Sequence, residues 1–307
     1  TAQDLVANLN TLAKEKTFKG LILDLRNDPG GVLQSAVAVA GAFLPPNSTV
    51  VSTKGRTADS NYIYKVTPED YFLSDKNPDV LKDLPAVARE VPMVVLINSA
   101  SASASEIVSG ALQDYKRATL IGNRSFGKGS VQTILPMRTG EKIVGVKLTT
   151  ARYYTPSGRS IQAKGIEPDI YVDDTPKGNF PSFQIRESDL KRHLSNKDED
   201  ENKEKDNLPY DGDDGTVPDY QYTMGDEKDW QLQQAVNFLT GKTVEVSKYR
   251  GKPRKEVEKM KKAEAAQKAA QEAKSEANAE EKSQTGKDTT EGEVKPEGAP
   301  KDEPAAK

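Results

Sequence analysis

Between residues 18 and 122 the chain alternates short continuous apolar runs with longer apolar segments of helical period, and that alternation leaves few architectures open. "FKGLILDLR" (18–26), "VPMVVLINS" (91–99) and "RATLIG" (117–122) have the length and β-branched content of buried strands. Between them lie "VLQSAVAVAGAFL" (32–44), which Pro45-Pro46 ends, and "ASEIVSGALQDY" (104–115), both of helical character. An amphipathic helix precedes them over residues 2–15, with Leu5, Val6, Leu9, Leu12 and Ala13 on one stripe. "SVQTILPM" and "KIVGVKLTTARYYT" read as a β pair about a turn at Arg138-Thr139-Gly140. Strands alternating with helices predict an α/β fold with a largely parallel sheet.

Nearly all strong apolar segments fall before residue 175, so we expect a core over 1–175. A weaker extension over 176–245 holds a charged run from Asn196 to Asp206 and the turn-rich "YDGDDG". Its one helix candidate is "DWQLQQAVNFLTG", with Trp230, Val236 and Leu239 available to pack. Residues 246–307 are Lys, Glu, Ala and Pro, with too little apolar surface to offset the entropy of ordering, and a disordered tail is expected there. Its stretch 254–282 is rich enough in Ala, Glu and Lys for transient helix.

The formal net charge of −3, with both signs interspersed, argues against a nucleic-acid surface. No apolar run approaches the roughly 20 residues of a membrane span. The chain has no cysteine, which excludes disulfides, thiol nucleophiles and cysteine metal sites without choosing a compartment. It opens at Thr1 without a signal-peptide pattern, which reads as a fragment or processed form.

"NSASASASEI" (98–107) holds four serines at a predicted strand-to-helix corner. Ser103-Ala104-Ser105-Glu106 fits a capping box, S-x-x-E, ahead of a helix. The same corner suits a nucleophile. Open α/β sheets bind ligands at the carboxyl ends of their strands, and a helix N-terminus offers free N–H groups and a positive dipole end that stabilise an oxyanion. A serine nucleophile needs a base, and His193, the one histidine, lies in a charged stretch far downstream. The alternative is Lys128 in "NRSFGKGSVQ", whose flanking glycines let backbone approach closely. Lysine has a reference pKa of about 10.4, so it serves as a base only where its surroundings lower that value.

Gly122-x-x-x-x-Gly127-Lys128 is also most of a phosphate-binding P-loop. Gly129 stands where Ser or Thr is required, and the β-like "SVQTILPM" follows where a helix should open. "LDLRNDPGG" (23–31) ends a strand in a Gly pair. That pair is either a simple turn or the second side of an oxyanion hole, with the Gly30 or Gly31 N–H facing in.

Together, "LILDLRNDPGGVL", "SASASEIVSGALQDYKRATLIGNRSFGKGSVQTI" and "YYTPSGRSIQAKGIEPDI" resemble the carboxyl-terminal processing, or tail-specific, proteases, over roughly residues 18–172. These are serine peptidases with a Ser–Lys dyad. The resemblance implies Ser103 as nucleophile and Lys128, 25 residues on, as general base. It implies Gln132 as the residue orienting the lysine. The Ala104 N–H and a glycine of the Gly30-Gly31 pair would form the oxyanion hole. Glu106 and Asp114 match acidic positions of the motif, and their roles are read as structural, the cap and the end of the helix. The implied fold is the crotonase-like or Clp-protease-like α/β spiral, and no metal or cofactor is needed. Implied partners are protein or peptide substrates with apolar C-termini, with an adaptor or homo-oligomer possible in the family. The implied location is the periplasm or cell envelope of a bacterium. Family members typically carry a PDZ domain ahead of the strand "LILDLR"; nothing here matches one, so this chain is expected to lack it. The competing readings are a catalytically silent protein-binding scaffold of the same fold and an NTPase.

Overall fold

The computed structural model describes residues 1–15, 17–71, 79–140, 142–179, 185–196 and 223–248, with separate helical positions between 259 and 270. The elements are α1 (Ala2–Leu12), β1 (Leu21–Asp24), α2 (Leu33–Gly41), β2 (Thr49–Gly55) and β3 (Tyr62–Lys65). Two single turns follow, α3 (Pro68–Tyr71) and α4 (Val87–Glu90), and then β4 (Met93–Ile97), α5 (Ala104–Asp114) and β5 (Thr119–Gly122). The chain continues with β6 (Ser130–Thr139), β7 (Lys142–Tyr154), β8 (Ile170–Tyr171) and α6 (Trp230–Leu239). It forms two units, Thr1–Arg254 and Lys255–Lys307. In the second, the described residues between 259 and 270 are helical. The rest of the tail expected to be disordered lies outside the described residues, as does the charged run 197–206.

The mixed α/β fold agrees with the sequence reading, but the expectation of one largely parallel sheet needs correction. One sheet is parallel throughout, in the order β1-β4-β5-β8, with Leu21 opposite Met93 and Val94 opposite Thr119. A second sheet of equal size is antiparallel, in the order β3-β2-β7-β6. The β6–β7 pair was foreseen. Its turn lies one step later than expected, closed by Thr139 opposite Lys142, and the positive φ of 61° at Gly140 suits a two-residue hairpin loop. The partners β2 and β3 were not foreseen.

The parallel sheet is covered on both faces, which is why its strands read as unbroken apolar runs. In β4, Met93, Val95 and Ile97 join the cluster built with α2 and α5. The alternate residues Val94 and Leu96 join Ile121, Val172 and Ala235 on the other face. Trp230, Leu232 and Leu239 of α6 close that second face, so the distant helix is part of the core. The sequence had offered Trp230, Val236 and Leu239 for packing. Val236 is instead exposed, and Ala235 takes the buried place, a one-position rotation of the helical stripe. Among the described residues, no helix is long and apolar enough to cross a membrane.

Candidate active site

β4 delivers the serine loop at its carboxyl end. Three of the four serines are committed to structure or buried. The Ser101 hydroxyl donates to the Leu25 carbonyl (2.7 Å) and accepts from the Asn98 N–H (3.0 Å). The Ser105 hydroxyl donates to the Asp28 carbonyl (3.0 Å). Ser99, like these two, is buried, whereas Ser103 is half-buried and so presents its hydroxyl at the surface of the corner. Its backbone has φ 57° and ψ −111°. A non-glycine residue held there costs about 1–3 kcal/mol, a strain that surrounding contacts must sustain.

Those contacts centre on Glu106. Its carboxylate is fully buried and accepts four hydrogen bonds. Oε2 takes the N–H of Ser103 (2.8 Å) and the N–H of Lys128 (2.9 Å). Oε1 takes the Ser125 hydroxyl (2.5 Å) and the Gly127 N–H (2.6 Å). One oxygen therefore holds the backbone of both members of the predicted Ser–Lys pair. Burial pushes the carboxyl up to about 7, against the downward pull of the four hydrogen bonds. The sequence reading gave Glu106 only the helix cap. Only the Glu106 half of the cap is made, its carboxylate taking the Ser103 N–H; the Glu106 N–H donates to the Ser103 carbonyl (3.0 Å), and the Ser103 hydroxyl makes no cap hydrogen bond. The hydroxyl is thus left for other use.

The lysine loop is stitched to the serine loop a second time by the Phe126 N–H on the Ser101 carbonyl (3.0 Å). Lys128 is half-buried. Gly127 has φ 99°, and a Cβ on Gly129 would lie 2.3 Å from the Gln162 nitrogen, so neither position accepts a side chain. The P-loop alternative asks for Ser or Thr at 129 and a helix after it. Backbone fills the space for the first, and β6 stands in place of the second. Gln132 lies on β6 just past a bulge, opposite Thr149, with its side chain exposed. No hydrogen bond joins it to Lys128 among the described residues.

The glycine pair is laid directly against the serine. The Asp28 carbonyl accepts from the Ala102 N–H (3.0 Å) as well as from Ser105. Asn27 and Asn98 exchange hydrogen bonds, at 3.0 and 2.8 Å. Gly30 has φ 88°, and a Cβ there would sit 2.6 Å from the Ala104 nitrogen and 3.0 Å from the Ser103 Cβ. Any side chain at 30 would therefore fill the space in front of the helix N-terminus. The Gly30 N–H is already given to Asp28 Oδ1 (3.0 Å). The N–H groups of Gly31 and Ala104 have no acceptor among the described residues. Of the two glycines, Gly31 is the one with a donor to offer an oxyanion.

Asp114 sits at the far end of α5, away from Ser103. It accepts from the Ser157 N–H (2.8 Å) and pairs with Arg159. Burial raises its pKa, but hydrogen bonds from Thr155 and Ser157 and the Arg159 charge outweigh that and hold it below the usual carboxylate value. Its role is to anchor the loop after β7. His193 is half-buried, with Nδ1 at 2.8 Å from the Leu190 carbonyl.

Comparison with known proteins gives one consistent result. A carboxy-terminal-processing protease of Bartonella bacilliformis is 44% identical over 199 residues, 64% of this chain and 41% of that protein. A carboxyl-terminal-processing protease of Synechocystis is 39% identical over 160 residues, 52% of this chain and 32% of that protein. Among solved structures, the photosystem II D1 C-terminal processing protease is 34% identical with a TM-score of 0.43, covering 56% of this chain and 38% of that one. The chain spans less than half the length of each of these relatives. The model of peptidase family S41 matches residues 1–172, a stretch that takes in the glycine, serine and lysine loops alike, and the chain belongs to that family.

Proposed function

We propose that the chain is a serine endopeptidase that processes or degrades proteins from their C-terminal side, with Ser103 as nucleophile and Lys128 as general base. The observation that carries this reading is the Glu106 carboxylate, one oxygen of which receives the N–H of both residues. Neutral Lys128 takes the hydroxyl proton while Ser103 Oγ attacks the scissile carbonyl carbon. The negative charge that develops on the carbonyl oxygen is met by the N–H groups of Gly31 and Ala104. The ammonium of Lys128 returns the proton to the leaving amine as the peptide bond breaks. Water, deprotonated by the same amine, then hydrolyses the acyl-serine and frees the enzyme. Gln132, four residues along from Lys128, orients the amine in this scheme.

The substrates in this reading are unstructured protein segments ending in apolar residues. The matched relatives are bacterial, and the proposed compartment is the periplasm or cell envelope. The test is incubation of the chain with an unstructured protein of apolar C-terminus, with fragments followed by mass spectrometry. Cleavage by the parent should fall by at least about four orders of magnitude in Ser103→Ala. Lys128→Arg should be as inactive as Lys128→Ala, because arginine stays protonated and cannot act as a neutral base. Substantial turnover by the arginine variant removes Lys128 from the role of base. Substrate binding without turnover in the parent returns the scaffold reading.

A further inference from the structure

The glycine loop that faces Ser103 starts from a buried arginine. Arg26 lies two residues past the end of β1, directly before Asn27, and it is 5% exposed. Guanidinium carries five N–H donors in a fixed fork, and here every nitrogen is engaged. Nε donates to Asp24 Oδ1 (3.0 Å) and Oδ2 (3.2 Å). NH1 donates to Asp229 Oδ1 (2.8 Å) and Gln231 Oε1 (3.2 Å). NH2 donates to Asp24 Oδ2 (2.7 Å) and Asp229 Oδ2 (2.6 Å).

Two of these acceptors come from the far end of the sequence. Asp229 is the N-cap of α6, fully buried, and also accepts from the Gly225 N–H (2.9 Å) and the Leu232 N–H (3.1 Å). Gln231 reaches back to the Val172 carbonyl (2.9 Å) at the end of the parallel sheet. The pair between Arg26 and Asp229 is bidentate, which fixes orientation as well as distance. Burial alone would lower the pKa of Arg26; the hydrogen bonds and charges of Asp229 and Asp24 outweigh it and keep the group charged. Burial raises the Asp229 pKa, but the hydrogen bonds from Arg26, Gly225 and Leu232 and the Arg26 charge together outweigh it and hold the group below the usual carboxylate value.

From Arg26 onward the loop has two supports. On one side are the hydrogen bonds to Asn98, Ala102 and Ser105 described above. On the other is this guanidinium, clamped by α6. The apolar underside of α6 could cover the sheet without a buried charge. A bidentate ion pair does more than cover; it sets where the strand hands over to the glycine loop.

We propose that Asp229 is a positioning residue for the oxyanion-binding loop: acting through Arg26, the C-terminal helix holds residues 27–31 where the Gly31 N–H can face the Ser103 reaction centre. The inference rests on the proposed peptidase reading and adds to it a specific job for a helix 203 residues away in sequence. An oxyanion donor acts in the transition state and not in substrate binding, so its misplacement lowers kcat and leaves KM in place.

The test uses the full chain with Asp229→Asn, close to isosteric but uncharged. A second variant, Asp229→Ser, keeps an oxygen for the helix cap but is too short for Arg26. Assays are run well below the melting temperature of each variant, as fixed by circular dichroism. Both variants should lose about tenfold or more in kcat with KM within about twofold of the parent. Affinity for a peptide boronate, whose tetrahedral oxygen occupies the oxyanion position, should fall by the same factor. Amide hydrogen exchange over 27–31 should quicken about tenfold while α2 and α5 keep their protection. A folded Asp229→Asn protein with unchanged kcat overturns the proposal, as does a rise in KM alone. So does recovery of kcat by Asp229→Ser, which would assign the effect to the helix cap. If the parent cleaves nothing, it is the peptidase reading that fails. The exchange measurement then still decides whether Asp229 holds the loop, since unchanged exchange over 27–31 refutes it without any turnover.

Discussion

Two strands frame the site, and the fold treats them in opposite ways. β4, which leads into the serine loop, is buried along its whole length, with Val94, Val95, Leu96 and Ile97 all at 0% exposure. β6, which leaves the lysine loop, runs into solvent with Ile134, Leu135 and Met137 exposed. The proposed nucleophile is therefore mounted next to a fully buried strand, and the proposed base at the root of an open hairpin. What reconciles them is Glu106, which belongs to the buried side and reaches across to the backbone of the lysine loop. The positional accuracy of the pair is set from the serine side.

Among changes outside the proposed Ser103–Lys128 pair, removing that link should have the largest effect. In Glu106→Gln the amide NH₂ must face N–H donors that now point at an anion. We expect about a 10²-fold loss of kcat from misplacement of the loop, read by steady-state kinetics. The pH dependence of stability sharpens the point. Burial raises the Glu106 pKa from 4.5 to about 7, so between those values the folded chain holds a proton that the unfolded chain has released. The contribution of this group is fully present below about pH 4.5 and is lost as pH rises through 7, a change of roughly 3 kcal/mol. Urea unfolding at pH 5 and pH 8 should show this fall in the parent and not in Glu106→Gln. Activity runs the other way, because only the ionised carboxylate can accept all four donors. The site is assembled at the expense of stability, a trade common where function needs a buried charge.

The contrast between the strands themselves predicts the next effects. Leu96→Ala, in the doubly covered strand, should cost about 2–5 kcal/mol by thermal or urea unfolding. Leu135→Ala, on the open hairpin, should stay within about 0.5 kcal/mol. A large effect at 135 would show that the hairpin is packed against something in solution.

The same contrast explains what could be read from the sequence. β1, β4 and β5 and the helices α2 and α5 were legible because burial on both faces writes long apolar runs. β2 and β3, "TVVSTKG" and "YIYK", were missed because polar residues interrupt both, so neither writes the continuous apolar run that marks the strands of the parallel sheet. At the site, residue chemistry offered the serine corner and Lys128 as a candidate base, and the family resemblance singled out Ser103. They did not reveal that Glu106 serves both, because Ser103-x-x-Glu106 already reads as a helix cap, and the donors of Ser125, Gly127 and Lys128 come from about 20 residues further on. The Arg26–Asp229 pair was out of reach for the same reason at greater range. A buried arginine needs carboxylates, but the sequence does not say which of its many acids will come. Gly129, by contrast, carried a readable signal: a glycine beside Lys128 lets backbone approach closely, and the backbone of Gln162 does so.

Pro136 gives the exposed hairpin a property that concerns other copies of the chain. It pairs with Gly145 on the outermost strand of its sheet, and a proline is tolerated there when its nitrogen faces the open edge. An edge flanked by Ile134, Leu135 and Met137 is otherwise a template on which a second polypeptide strand could grow. The missing N–H interrupts the row of donors midway, so a strand added from either end runs out of partners after a few residues. One ring thus weakens this edge as a template for a second strand.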